Sequence, residues 1–224
     1  MRALFALCGT LLIACAPTFD EDVAHISEPR ILAVKSEPAE AKPGTPLSLT
    51  AFVAVPGASA NAPAPRWSMC IAPKPPTENN VVSAECLSEA ALLPAGHGPS
   101  IQTQTPFDAC SLFGPDTPPG GFRPRDPDAT GGYYQPVRVD LAHAAPLFHL
   151  ERITCNLGQA PFEIAAEFGM SYLPNQNPHL ARLTADLDGE PLALDQIPSG
   201  ASVELEASWP AEDAGAYTYF DRAA

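Results

Sequence analysis

The sequence predicts a mainly β fold, a sandwich of two sheets with long Pro/Gly-rich loops. Three observations lead to this prediction. An apolar run at 30–35 is bounded by prolines on both sides. Apolar and polar residues then alternate from Leu47 to Val55, which is the period of a strand with one buried face. A further short run, at 66–71, carries Trp67, a side chain large enough to fill a core between two sheets.

The succession of strand, turn, long strand, loop and Trp-bearing strand resembles the opening of an immunoglobulin-like module. This resemblance implies a β-sandwich over residues 29–160, to which the patterns at 137–141 and 147–154 add two strands. Trp67 and Cys70 do not follow the Cys…Trp…Cys order of antibody domains, so the resemblance is to the sandwich alone.

Between these strands, residues 72–136 are rich in proline and show only short patterns. The stretch 100–104 is strand-like, and 87–93 suits a helical turn. The rest of this region is predicted to form long loops.

One short helix is predicted at 161–172. Pro161 suits the first helical position, and six residues share one face, namely Phe162, Ala165, Ala166, Phe168, Gly169 and Tyr172. Together with the residues up to 176 it forms a connector.

An internal repeat predicts a partial second β module at 177–224. Residues 178–183 echo 29–34, and residues 198–207 echo 43–51 with their apolar positions in phase. Between the two echoes lies Asp188-Gly189, a dipeptide typical of hairpin turns. This module is about half as long as the roughly 100 residues of a complete immunoglobulin-like domain.

The N-terminus has a positive start, an apolar run, and then Leu12-Ile13-Ala14-Cys15. This pattern resembles the lipobox of bacterial lipoproteins. The resemblance implies a signal peptide at 1–14, lipidation of Cys15 and a tether at 15–28. With Ala16 after the cysteine, it also implies lipid anchoring in the outer membrane, facing the periplasm or the cell surface. Two alternatives stay open: an ordinary signal peptide with an incidental Cys15, or a buried N-terminal helix.

Four cysteines remain beyond the signal segment, an even number that indicates disulfides in an exported chain: Cys70, Cys86, Cys110 and Cys155. Of the three connectivities, Cys70–Cys86 with Cys110–Cys155 is favoured, because the first pair closes a short Pro/Asn-rich excursion. The cysteine spacings offer no close pair of the zinc-binding kind. The net charge of −14 is unsuited to nucleic acid as a partner.

No catalytic motif is present, since the five histidines are scattered and no nucleophile elbow or phosphate-binding glycine pattern occurs. We therefore expect no enzyme activity, no cofactor and no metal. The loop 122–134 holds the weak binding candidates, namely Arg123, Arg125, Asp126, Asp128, Tyr133 and Tyr134.

Three hypotheses apply to this loop. It matches the first half of a calcium-binding loop, but Val137 stands where the closing acid is needed. Exposed tyrosines beside an arginine would suit a glycan or a peptide. The plainest interpretation is a surface loop held by its own Arg–Asp pairs, with the tyrosines packed inward.

Taken as a whole, the chain is similar to uncharacterised envelope lipoproteins of Gram-negative bacteria. The resemblance is carried by 12–15, 29–55, 67–70, 122–137 and 175–178. It implies an envelope location and two modules, and no activity. We expect a structural or protein-interaction role without catalysis, with partners among the membrane lipid, envelope proteins or glycan. The alternatives are a glycan- or peptide-binding lipoprotein that uses 122–134, and a hydrolase whose site the sequence does not reveal.

Overall fold

The computed structural model describes residues 26–58, 62–74, 82–115, 130, 132–158, 160–198 and 200–214. Eleven strands and two α-helices lie within these residues. The strands are β1 Arg30–Glu37, β2 Glu40–Ala41, β3 Pro46–Ala54, β4 Arg66–Cys70, β5 Leu92–His97, β6 Ser100–Gln104, β7 Gly132–Asp140, β8 Leu147–Thr154, β9 Arg182–Leu187, β10 Glu190–Leu192 and β11 Glu204–Ser208. The helices are α1 Ala109–Phe113 and α2 Phe162–Ser171. Among the described residues, no helix is both long and apolar enough to cross a membrane.

The strands form three sheets, which confirms the mainly β class. One sheet has the order β1-β3-β6, and a second has the order β2-β8-β7-β4-β5. All neighbours in these two sheets are antiparallel except β2, which pairs with β8 in parallel at Glu40↔Arg152 and Ala41↔Ile153. The third sheet, β10-β9-β11, is built from the C-terminal residues.

The main core lies between the first two sheets and draws side chains from both. Its buried members are Leu47, Leu49, Ala51, Ile101, Trp67, Met69, Val137 and Val139. Trp67 is fully buried, and its Nε1 donates a hydrogen bond to the carbonyl of Gly98 at 2.8 Å. The alternation in β3 and the core position of Trp67 are therefore as the sequence predicted.

A second core cluster lies at the other end of β7 and β8. Ala109 and Phe113 of α1 pack there on Tyr133 and Ile153. The disulfide Cys110–Cys155 joins α1 to the end of β8, and Cys70–Cys86 joins β4 to the turn before β5. Both pairs are those favoured from the sequence.

The prediction for 72–136 was incomplete. This region contains β5 and α1, which the sequence analysis did not predict, and β7 begins at Gly132 rather than at Val137. Pro94 and Gly96 conceal the strand character of β5, which pairs with β4 through a register irregularity near Trp67. The expectation of a single helix was also wrong, because α1 precedes α2.

The C-terminal sheet contains the predicted hairpin. Asp188 and Gly189 both have positive φ, 57° and 87°, as the two central residues of a type I′ turn require. β9 pairs with β11 in the antiparallel sense, as β1 does with β3.

Candidate functional site

A buried carboxylate at Glu40 joins three elements of the fold. Its side chain is fully buried and accepts four hydrogen bonds. Arg152 Nε donates at 3.1 Å, Thr154 Oγ1 at 2.8 Å and the backbone N–H of Asn175 at 3.0 Å, and the hydroxyl of Tyr172 also donates. The short strand β2 thereby holds the end of β8 and the C-terminal end of α2.

Arg152 is the positive partner in this network. Its guanidinium also donates to the hydroxyls of Thr130 at 3.0 Å and Tyr134 at 3.2 Å, and lies 5.7 Å from the centre of the Tyr134 ring. A Cβ added at Gly132 would overlap this guanidinium, so the close approach requires glycine at that position. The cluster thus leaves each charge of the Glu40–Arg152 pair with several partners, as a buried ion pair requires.

The electrostatics of the network keep Tyr172 and Arg152 in the protonation states that their hydrogen bonds need. Burial, followed by the hydrogen bond to Glu40, raises the pKa of Tyr172 to about 12. Burial acts to lower the pKa of Arg152, but the charge of Glu40 and the tyrosine hydroxyls outweigh it and raise that pKa. Tyr172 therefore remains a donor and Arg152 a cation at neutral pH.

A cavity of about 410 Å³ lies beside this network, between α2 and the end of β8. α2 contributes one face of the helix, including Ala165, Phe168 and Gly169. Lys42 and Asn156 lie on the opposite walls. The hydroxyls of Tyr172 and Thr154, which also line the cavity, are directed to Glu40.

A different polar pair is enclosed within the sandwich. Gln135 of β7 and Glu151 of β8 are cross-strand partners, and both are fully buried. Their Oε1 atoms form no hydrogen bond with any described residue, whereas Glu151 Oε2 lies 3.4 Å from Nε2 of His149. This pair lies between the two core clusters, because Gln135 stands on β7 between Tyr133 of one cluster and Val137 of the other.

In the C-terminal sheet, by contrast, large apolar side chains are exposed to solvent. Ala185 is its only buried hydrophobic residue among those described. Leu183 and Leu205 share one face of the sheet and are 39% and 57% exposed, and Trp209 follows at 55%. Acidic side chains occupy the other face at Asp186, Glu204 and Glu206.

The predicted lipidation site Cys15 lies outside the described residues, and so do four of the six binding candidates, namely Arg123, Arg125, Asp126 and Asp128. The structure describes Tyr133 and Tyr134. Tyr133 is 2% exposed and packs on Phe113 and Ile153, so its ring lies in a core cluster. Tyr134 is half-buried against Arg152. The four described cysteines pair as disulfides.

The cluster of Glu40, Arg152 and Tyr172 was not predicted from the sequence. One pattern points to them: Glu151-Arg152 places two opposite charges inside the apolar run of β8. Charges in such a run indicate buried partners. Neither charge identifies its partner, because Glu40 is 112 residues away from Arg152.

No group of three or more His, Cys, Asp or Glu side chains that suits a metal ion occurs among the described residues. Comparison with known proteins finds no matching family model, no matching curated protein and no matching solved structure.

Proposed function

We propose that this chain is a lipid-anchored cell-envelope protein with a protein-interaction role and without catalytic activity. The lipobox-like segment before Cys15 supports the anchor, and Ala16 supports the outer membrane as its location. The two cysteine pairs at disulfide distance support an oxidising compartment, where such bonds persist. The body at 29–160 is proposed to be an immunoglobulin-like sandwich, a scaffold for binding surfaces.

The observation that carries the interaction role is the uncovered apolar face of the C-terminal sheet. A three-stranded sheet is stable when one face packs on other apolar groups. Here Leu183 and Leu205 stand exposed beside Ala185, the one buried hydrophobic residue that the structure describes in this sheet. Covering the two leucines would stabilise the complex by about 1 kcal/mol for each side chain, since each is already partly buried.

The charge around this face identifies the chemistry of the partner. Glu190 pairs with Leu187 and so shares the apolar face, whereas Asp186, Glu204 and Glu206 lie on the opposite face. The single base of the three strands is Arg182, so Glu190 is the charge that a partner on the apolar face would meet. A protein surface with an apolar centre and a Lys/Arg rim is complementary to this arrangement. If the edge strand β11 paired with β11 of a second copy, Glu204 and Glu206 of the two copies would lie close together. Their repulsion opposes this edge-to-edge pairing.

Photo-crosslinking in the cell tests this proposal. A benzophenone amino acid at Leu205 should crosslink to another protein, and the same probe at Glu206 should not, because neighbouring residues of β11 face opposite sides. Leu183→Asp should reduce the Leu205 crosslink at least about tenfold, and high salt should reduce it further.

The identity of the crosslinked product decides the outcome. A product with a protein whose contact peptide is apolar and flanked by Lys or Arg supports the proposal. A product only with a second copy, or only with residues 215–224 of the same chain, would overturn it. Equal crosslinking from Leu205 and Glu206 would also overturn it.

A further inference from the structure

The cavity beside α2 has walls that differ in character from the rest of this acidic chain. The chain has a net charge of −14, with 26 acidic residues. Among the described residues that line the cavity, Lys42 is the only charged one. The carboxylate of Glu40 accepts hydrogen bonds from the hydroxyls of Tyr172 and Thr154, two of the residues that line the cavity. The cavity therefore offers a local positive site and no exposed anion.

The hydrogen-bonding groups on these walls are also donors. Lys42 is exposed and forms no ion pair with another described residue. Asn156 accepts a hydrogen bond at Oδ1 from the backbone N–H of Leu157, at 2.8 Å. Its Nδ2 forms no hydrogen bond to any residue that the structure describes, so it can donate to a ligand. Two donors, one of them charged, fit an anionic acceptor.

The remaining surface is apolar and concave. Ala165, Phe168 and Gly169 form the helical wall, and Pro43 and Pro174 lie on the other walls. The volume of about 410 Å³ is within the range of about 300–1,000 Å³ typical of small-molecule pockets. The apolar part of a ligand would pack on the helical wall, and this contact would remove apolar surface from water.

We propose that this cavity binds an amphipathic monocarboxylate. The apolar body lies against α2, and the carboxylate accepts hydrogen bonds from Lys42 and Asn156. A cationic ligand of the same shape is repelled by Lys42, and a neutral one leaves the Lys42 charge without a partner. The site is separate from the C-terminal sheet, so it stands independently of the proposed partner binding.

Gly169 provides a sharp test of this site. A Cβ added there meets no atom within 4 Å, so a larger side chain is accommodated by the fold and narrows the cavity. Glycine is also the weaker helix former, so Gly169→Leu should leave α2 at least as stable. Ala166→Leu is the matched control, because Ala166 lies on the same helix, is exposed and does not line the cavity.

Equilibrium dialysis of the full-length protein against radiolabelled octanoate, octanol and octylamine measures binding. All proteins are dialysed in the same detergent, so that uptake by micelles cancels between variants. We expect saturable octanoate binding that Gly169→Leu weakens at least about tenfold and Ala166→Leu leaves unchanged. Lys42→Gln should weaken octanoate binding about fivefold without affecting octanol, whereas Lys35→Gln, on β1, should affect neither.

Phenylbutyrate is tested beside octanoate to show whether the cavity prefers an aromatic or an aliphatic apolar group. Tighter binding of either acid supports the proposed carboxylate site. Three results would overturn the proposal. One is the absence of saturable binding up to millimolar octanoate. Another is equal binding by wild type and a folded Gly169→Leu variant. The third is octylamine binding as tight as that of octanoate.

Discussion

At the scale of single residues, Glu151 is the least satisfied group in the described core. Its side chain is fully buried, and only His149 approaches it, at 3.4 Å. Its cross-strand partner Gln135 uses Nε2 to donate to the carbonyls of Cys70 and Pro136, at 2.7 and 3.1 Å. The Oε1 atoms of both residues are therefore acceptors without a described donor. Buried polar groups in this state cost stability.

We predict that Glu151→Gln stabilises the protein by about 1–2 kcal/mol, because the amide keeps the shape of the side chain and adds an N–H for the free acceptor of Gln135. Urea denaturation at neutral pH measures the change. Glu206→Gln is the control, since the same substitution at an exposed position of β11 should change stability by less than about 0.5 kcal/mol. A less stable Glu151→Gln protein would show that the carboxylate itself contributes through His149.

At the scale of elements, the Glu40 network attaches α2 and the start of the C-terminal region to the sandwich. β2 has only two residues, too few to hold a position in the sheet by backbone pairing alone. The hydrogen bonds from Arg152, Tyr172 and the Asn175 backbone compensate for this. Asn177 adds a further link, since its Nδ2 donates to the carbonyl of Ser36 at 2.6 Å.

This network predicts an alkaline loss of stability. The phenol of Tyr172 ionises near pH 10 in the unfolded chain and at about 12 in the folded protein. Below pH 10 both states are protonated and the stabilisation is complete. Between pH 10 and 12 only the unfolded state releases the proton, so the free energy of unfolding falls as the pH rises.

Denaturation curves at several pH values between 9 and 12, for wild type and Tyr172→Phe, measure this effect. At neutral pH we expect Tyr172→Phe to be less stable by about 1–3 kcal/mol, because Glu40 loses a donor. The difference in the free energy of unfolding between the two proteins should shrink by about 1–2 kcal/mol as the pH approaches 12. This is less than the full pKa shift of Tyr172 would give, because its half-buried side chain is partly screened by solvent. A constant difference across this range would contradict the assignment of Tyr172 as the donor.

At the scale of the whole molecule, the predicted anchor and the two cysteine pairs point to the same compartment. The lipobox-like segment predicts export and lipidation, and the two cysteine pairs are typical of exported proteins. The resemblance to a lipobox implies two acyl chains on the thiol of Cys15 and a third on the new N-terminus. Such an anchor would hold the protein firmly, since two chains already give stable membrane binding.

Radiolabelled palmitate tests the anchor. We expect the label in wild type and in Cys8→Ala, because Cys8 lies in the segment to be removed, and its loss in Cys15→Ala. Cell fractionation should find wild type with the outer membrane and Cys15→Ala free of it. An unlabelled wild-type protein that fractionates with the soluble periplasm would contradict both the anchor and the location.

The sequence by itself determined the elements that depend on neighbouring residues. Alternation of apolar and polar positions identified β3, because a strand on a buried face exposes every second side chain. Pro161 and the apolar spacing that follows identified α2, and Asp188-Gly189 identified the hairpin, because only residues tolerant of positive φ fit that turn. In each case the physical cause lies within a few residues of its effect.

Only the tertiary structure decided what depends on residues far apart in the chain. Glu40 lies in a proline-flanked segment without periodicity, and its ion pair with Arg152 forms only because β2 aligns in parallel with β8. The cavity arises in the same way, since α2, the end of β8 and the turn at Lys42 enclose it together. No local sequence pattern predicts these long-range contacts. Their free energy comes from the burial and pairing of groups that come together only after the sheets have formed.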